Sequence, residues 1–233
     1  MKPHGAIPHW WNEARIEQAL AASGGITPCF VYDLGIVREK IAMLRRALPV
    51  GVGIHYAMKA NPLPAFVASV AALVDGIDIA SGGELPVAHG LAKHISFAGP
   101  GKRDVELAAA IGAGVTLNVE SEGEAERALA IGSELRVTPK LAVRVNPDFA
   151  LKGSGMKMGG GAAAFGVDAE RVPSLVRRIV EGGADWRGFH IFAGSQALDS
   201  DALIATQAAT VALAARLAEE IGLTPPLVNI GVG

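Results

Sequence analysis

Lysine, histidine, arginine and acidic residues are spread along this chain, and strand periodicity is what can gather them at one place. The run His55-Tyr56-Ala57-Met58-Lys59-Ala60-Asn61-Pro62 reads as a buried β-strand that delivers a lysine amine to its C-terminal end. Alternation puts Ile54, Tyr56 and Met58 on one face and His55, Ala57 and Lys59 on the other. Asn61 is expected to cap a helix whose first residue is Pro62. An amine placed there could attack an aldehyde, provided burial keeps part of it neutral. A lysine that simply ends a strand and snorkels to water fits the same stretch.

The rest of the chain repeats this arrangement. Strands are expected at 54–59, 76–80, 95–98, 115–120, 141–145, 189–192 and 228–230. Helices fill the gaps, which implies a parallel sheet. Ser81/Glu84 and Ser121/Glu124 both fit the capping box that opens a helix. One strand face is apolar throughout. The other carries Lys59, Asp78, Ser96, Asn118, Glu120, Arg144, His190 and Asn229. The interior of a purely structural α/β barrel would be branched aliphatics. Buried polar groups need partners, so this repeated parity points to a polar ligand at the C-terminal mouth of a barrel. Arg144 has no acid in its own strand and is expected to serve the ligand more than the fold. The glycine-rich stretch 146–167, with Lys152 and Lys157, follows that strand. It fits either a mobile lid or a surface loop.

Bulk properties set the frame. Half of the 233 residues are hydrophobic and the net charge is −2, so a large core is available and no nucleic-acid or membrane partner is expected. The single cysteine, Cys29, excludes an internal disulfide framework and suits a reducing cytoplasm. It falls in an expected strand, 29–32, and is expected to be buried. The N-terminus has no long apolar run, so no signal peptide or anchor is expected. Residues 1–26 read as a lead-in with a helix over 8–22, and 27–233 as the barrel domain. Asp33 is expected to cap the next helix, with Val37, Ile41, Leu44 and Leu48 on one face.

Five motifs, in order, resemble the fold-type-III pyridoxal-phosphate decarboxylases, the diaminopimelate/ornithine/arginine decarboxylase family. They are Tyr56-Ala57-Met58-Lys59-Ala60-Asn61-Pro62, Asp78-Ile79-Ala80-Ser81-Gly82-Gly83-Glu84, Val143-Arg144-Val145-Asn146-Pro147, Gly188-Phe189-His190 with Gly194-Ser195-Gln196, and Asn229-Ile230-Gly231-Val232-Gly233. The segments 95–102 and 152–161 look most like the subgroup associated with exosortase systems. The resemblance implies a TIM-like (β/α) barrel of the alanine racemase/ornithine decarboxylase type. It implies pyridoxal 5'-phosphate as cofactor, an amino-acid substrate, a homodimer and a cytoplasmic enzyme.

Position by position, it implies that Lys59 holds the cofactor as an imine. Asp78 and Glu84 would join the polar network around the ring, although Glu84 equally suits its capping box. Arg144 would lie near the ring, and Ser195, Gly231 and Gly233 would receive the phosphate. The family's ring-stacking histidine falls at Phe192, with a histidine at 190 instead; Phe192 could stack and His190 sit deeper. The family has a glycine triplet at 231–233, where this chain has Val232. An eighth strand and a β-sandwich domain normally follow. Seven of eight strands are therefore expected, and residues 1–233 alone are expected to be a poor decarboxylase. An amino-acid racemase, a non-catalytic cofactor-binding barrel and an inactive truncated product stay open as alternatives.

Overall fold

The computed structural model describes residues 12–149, 156–157, 164–195 and 199–231. The chain divides into two compact units at Val52/Gly53, further along than the 26/27 boundary drawn from sequence. The first unit holds α1 (Glu13–Ala22) and α2 (Leu34–Ala47). Asn12 caps α1 by accepting from the Arg15 N–H, and Asp33 caps α2 by accepting from Gly35. Residues 8–11 of the expected first helix lie outside the described residues. Residues 29–32 form no strand, because their backbone has no ladder partner among the described residues. Cys29 is exposed rather than buried. Phe30 is exposed too, and its ring stacks on Tyr32 at 6.5 Å.

The second unit is a curled parallel sheet with helices on its outer face. Its strands and helices follow in this order: β1 (His55–Ala57), α3 (Pro64–Ala71), β2 (Gly76–Ile79), α4 (Leu85–Ala88), β3 (His94–Phe97), α5 (Asp104–Gly112), β4 (Thr116–Val119), α6 (Glu122–Leu135) and β5 (Lys140–Asn146). Then come β6 (Met156–Lys157), β7 (Val167–Asp168), α7 (Val172–Glu181), β8 (Asp185–Ile191), β9 (Gly194–Ser195), α8 (Ser200–Ile221) and β10 (Val228–Asn229). The sheet order is β1-β2-β3-β4-β5-β8-β10, with β7 added on β5; β6 and β9 pair separately as a two-stranded antiparallel ribbon. Each of the seven main strands thus lies beside the one made before it, the order of a barrel with a strand still to close it. All seven overlap the expected strands.

Alternation builds the core. Ile77, Ile79, Phe97, Leu117, Val119, Leu141, Val143, Val145, Phe189 and Ile191 are buried between the sheet and its helices. Leu107, Ile111, Ala125, Ala128, Leu175, Val176, Ile179, Leu213 and Leu217 join them in one cluster. Helix α8 is long and apolar enough to cross a membrane, yet Leu213, Ala214 and Leu217 on it are buried in this core. Gly188, at φ +97°, lets β10 enter: a side chain there would collide with the Leu227 carbonyl, which instead accepts from the Phe189 N–H at 3.0 Å.

Candidate active site at the C-terminal strand ends

Strand β1 ends at Ala57, and Lys59 lies in a one-turn 3-10 helix, Met58–Ala60. That turn is closed from both sides. The Tyr56 hydroxyl donates to the Asn61 carbonyl at 3.0 Å, and Asn61 Oδ1 accepts from the Leu63 N–H at 3.1 Å. Helix α3 therefore starts at Pro64 with Leu63 before it, and Asn61 caps no helix at Pro62. Lys59 is exposed, so the burial expected for it is absent. Among the described residues its amine has no hydrogen-bond or carboxylate partner, and it stands 5.9 Å from the centroid of the buried Phe192 ring.

The inward polar residues largely satisfy one another. Asp78 on β2 accepts from the His55 ring Nδ1 at 2.8 Å through Oδ1, and from Asn229 Nδ2 at 3.0 Å through Oδ2. Burial raises the Asp78 pKa, but the His55 contact and the Asn229 bond outweigh it, and the net shift is downward. Burial likewise lowers His55, and the Asp78 contact with the charges of Asp78 and Asp75 reverses this into a net rise. Asn118 Nδ2 donates to Ser96 Oγ at 2.6 Å. A ligand is thus not needed to partner these groups, contrary to the inference from strand parity.

Four buried charges form a second cluster. Arg144 Nη1 donates to Glu120 Oε1 at 2.9 Å, and the guanidinium lies 4.8 Å from the Phe165 ring centroid. Glu120 also accepts from the Gly99 N–H at 2.5 Å and the Gly166 N–H at 3.2 Å. Lys102, two residues before α5, is fully enclosed. Its Nζ donates to the Gly99 carbonyl at 2.6 Å, the Asn118 carbonyl at 2.9 Å and Glu124 Oε1 at 2.6 Å. Burial pushes the Lys102 pKa down and that of Glu124 up, each opposed by its partner's charge. Arg144 is therefore an ion-pair member, its acid Glu120 supplied by the residue that follows the adjacent strand β4.

Register sets Arg144 beside His190, and His190 beside Asn229. His190 is buried, and its Nδ1 has no partner among the described residues. Burial, then the Arg144 charge, pushes its pKa down to about 3, with Asp78 acting against them and Lys59 with them. The imidazole is neutral at physiological pH. Glu84 is spent on its own turn: its carboxylate accepts from the Ala80 N–H at 2.6 Å. Glu124 does the same to the Glu120 N–H at 3.3 Å, while Ser121 caps α6. Gly231 lies against Phe192 but gives its N–H to Asn229 Oδ1 at 3.0 Å, so that donor is already engaged. Ser195 pairs with Met156 through β9 and β6; its side chain, Gly233, and most of the 146–167 stretch lie outside the described residues.

Sequence reasoning brought Lys59, Asp78, Arg144, His190 and Phe192 to one mouth, and the charges of Lys59, Arg144 and Asp78 all act on His190. It assigned no individual role to His55, Glu120 or Lys102, and to Glu124 only that of a capping-box partner for Ser121. The parity that placed His55 and Glu120 inward was the available signal for those two.

An amine and a buried imidazole nitrogen without partners among the described residues, with an aromatic ring beside the amine, suit an aromatic aldehyde cofactor, and known proteins point the same way. The family described as "Pyridoxal-dependent decarboxylase, pyridoxal binding domain" matches residues 34–233, and the chain belongs to it. It is 28% identical over 214 residues to L-glutamyl-[BtrI acyl-carrier protein] decarboxylase of Niallia circulans, covering 89% of this chain and 50% of that protein. It is 34% identical over 185 residues to diaminopimelate decarboxylase of Aquifex aeolicus (strain VF5), covering 74% of this chain and 42% of that one. The crystal structure of diaminopimelate decarboxylase from Helicobacter pylori complexed with L-lysine superposes with a TM-score of 0.77 and 26% identity, over 92% of this chain and 55% of that chain. The chain spans about half the length of the curated relatives it matches.

Proposed function

We propose that this chain forms the cofactor-holding part of an amino-acid decarboxylase that uses pyridoxal 5'-phosphate, held through Lys59. The observation that carries the reading is the exposed Lys59 amine, without a polar partner among the described residues, beside the Phe192 ring at 5.9 Å. When bound, the cofactor supplies an electron-withdrawing ring that takes up the electron pair left at the substrate's α-carbon. The chain's own residues bind and orient. Phe192 offers an apolar face for the ring. His190, neutral and without an Nδ1 partner among the described residues, offers a ring nitrogen to the ligand. Arg144, fixed by Glu120 and Phe165, keeps a positive charge beside the mouth, and Asp78 a negative one. Ser195, Gly231 and Gly233 are assigned to the phosphate end, and Glu84 to holding the turn after β2. The relatives carry names with different substrates, so an α-amino acid is the substrate class proposed. A homodimer, from the family resemblance, and a cytoplasmic location, which a single cysteine suits, complete the reading.

Borohydride reduction after incubation with pyridoxal 5'-phosphate tests the assignment. Mass spectrometry should find the label on Lys59. Label on Lys102, or elsewhere with Lys59 clean, overturns it. Carbon-dioxide release from diaminopimelate, ornithine, arginine and lysine tests the reaction.

A further inference from the structure

We propose that His55 is a positioning residue for the Gly231 turn, acting through Asp78 and Asn229. His55 stands at the start of β1, four residues before Lys59, which lies in the one-turn 3-10 helix that follows the strand. Its Nδ1–H bonds Asp78 Oδ1 at 2.8 Å; Asp78 Oδ2 accepts from Asn229 Nδ2 at 3.0 Å; Asn229 Oδ1 accepts from the Gly231 N–H at 3.0 Å. The three bonds form one directed series, each step fixed by the chemistry of the next.

An asparagine amide has a donor end and an acceptor end of nearly equal shape, and its environment decides which way it points. Here an ionised carboxylate, which only accepts, faces one end, and a backbone N–H, which only donates, faces the other. A single orientation satisfies both. That selection holds only while Asp78 is ionised and its Oδ2 is aimed at Asn229. His55 secures both conditions by occupying Oδ1. The downward pKa shift of Asp78, to which the His55 bond contributes against burial, agrees with this. At the far end, Gly231 takes a left-handed φ of +44° and packs against the Phe192 ring. The direction in which the chain leaves β10 is thereby set from the start of β1.

The consequence for ligand binding rests on the reading of Gly231 as part of the phosphate end. If that reading holds, disturbing His55 weakens the grip on the phosphate while leaving the aldehyde end, at Lys59, untouched. The experiment compares pyridoxal 5'-phosphate with pyridoxal, which lacks the phosphate, by absorbance titration of the protein. His55→Phe keeps a ring and removes the donor. It should lower the preference for the phosphorylated ligand about tenfold, the scale of one misaligned hydrogen bond, with pyridoxal affinity changed less than about twofold. His55→Asn should recover most of the preference, because its Nδ2 stands where the imidazole Nδ1 stood. A general loss of stability would weaken both ligands alike and would not be rescued. Circular dichroism checks folding, and His55→Ala is read in place of His55→Phe if the larger ring prevents it. Wild-type protein that binds both ligands equally overturns the phosphate reading of Gly231. A wild-type preference that survives His55→Phe, or equal losses for both ligands, overturns the positioning role alone.

Discussion

Lys59 and Phe192, 133 positions apart in the chain, are held with the lysine Nζ 5.9 Å from the ring centroid. Gly231 packs on the same ring: a Cβ at 231 would lie 2.9 Å from Phe192 Cδ2. The ring thus lies next to both the amine and the turn that follows β10.

Gly231→Ala should therefore be harmful twice over. A side chain at φ +44° adds about 1–2 kcal/mol of strain, and the new methyl must displace Phe192. Urea unfolding should show a loss of about 1–3 kcal/mol, partly regained in Gly231→Ala/Phe192→Leu, where the ring no longer obstructs. An unchanged midpoint for Gly231→Ala would show that this close approach does not exist.

Arg144→Met leaves Glu120 buried with its charge unpaired. Removing one partner of a buried pair costs about 3–5 kcal/mol. Glu120→Gln should cost less, because the amide oxygen can still accept from the Gly99 or Gly166 N–H groups that the carboxylate serves. The sequence suggested that Arg144→Met would spare the fold. Equal stability of variant and wild type in urea would restore that view.

Lys102 and Glu124, with side chains 1% and 2% exposed, make the more deeply enclosed pair. Lys102→Met alone should destabilise by about 3–5 kcal/mol, whereas Lys102→Met/Glu124→Leu should recover at least half, since an apolar pair needs no compensating charge. A double variant no better than the single would mean that the bonds to Gly99 and Asn118 carry the effect.

His190 predicts a pH dependence. Its pKa lies near 3 in the folded chain, against about 6.5 unfolded. Between those values the unfolded chain binds the extra proton, so stability is complete above about pH 6.5 and falls as pH drops toward 3. Unfolding free energies at pH 7, 6 and 5 should decline in the wild type, with a shallower decline in His190→Gln. Parallel declines would place the acid sensitivity elsewhere.

The fold was legible because both of its signals are local. Alternation marked each strand, and Ser121 and Asp33 marked helix starts. The same alternation put Asp78, Arg144 and His190 on one side. What it could not show was who partners whom. The acid for Arg144 is Glu120, the residue that follows β4, and Lys102 finds its acid only when α6 brings Glu124 over it. Cys29 was misjudged for a related reason: an apolar, β-prone run is buried only where another element covers it, and among the described residues no strand pairs with it. Asn61 bonds Leu63 two residues on, a turn contact that competes with capping and uses the same residue type.

The bond between Asp78 and Asn229 joins residues 151 apart, while the sheet otherwise pairs each main strand with the one made before it. During synthesis at about 5–20 residues per second, Asn229 emerges on the order of ten seconds after Asp78. As β2 to β5 emerge, each can pair with the strand made before it. Asp78 would wait with one oxygen unanswered, but His55, made before it, is already in place to hold the other. The nascent chain can thus keep its interior carboxylate partnered on the ribosome, and the arrival of Asn229 reports that the last of these strands has docked.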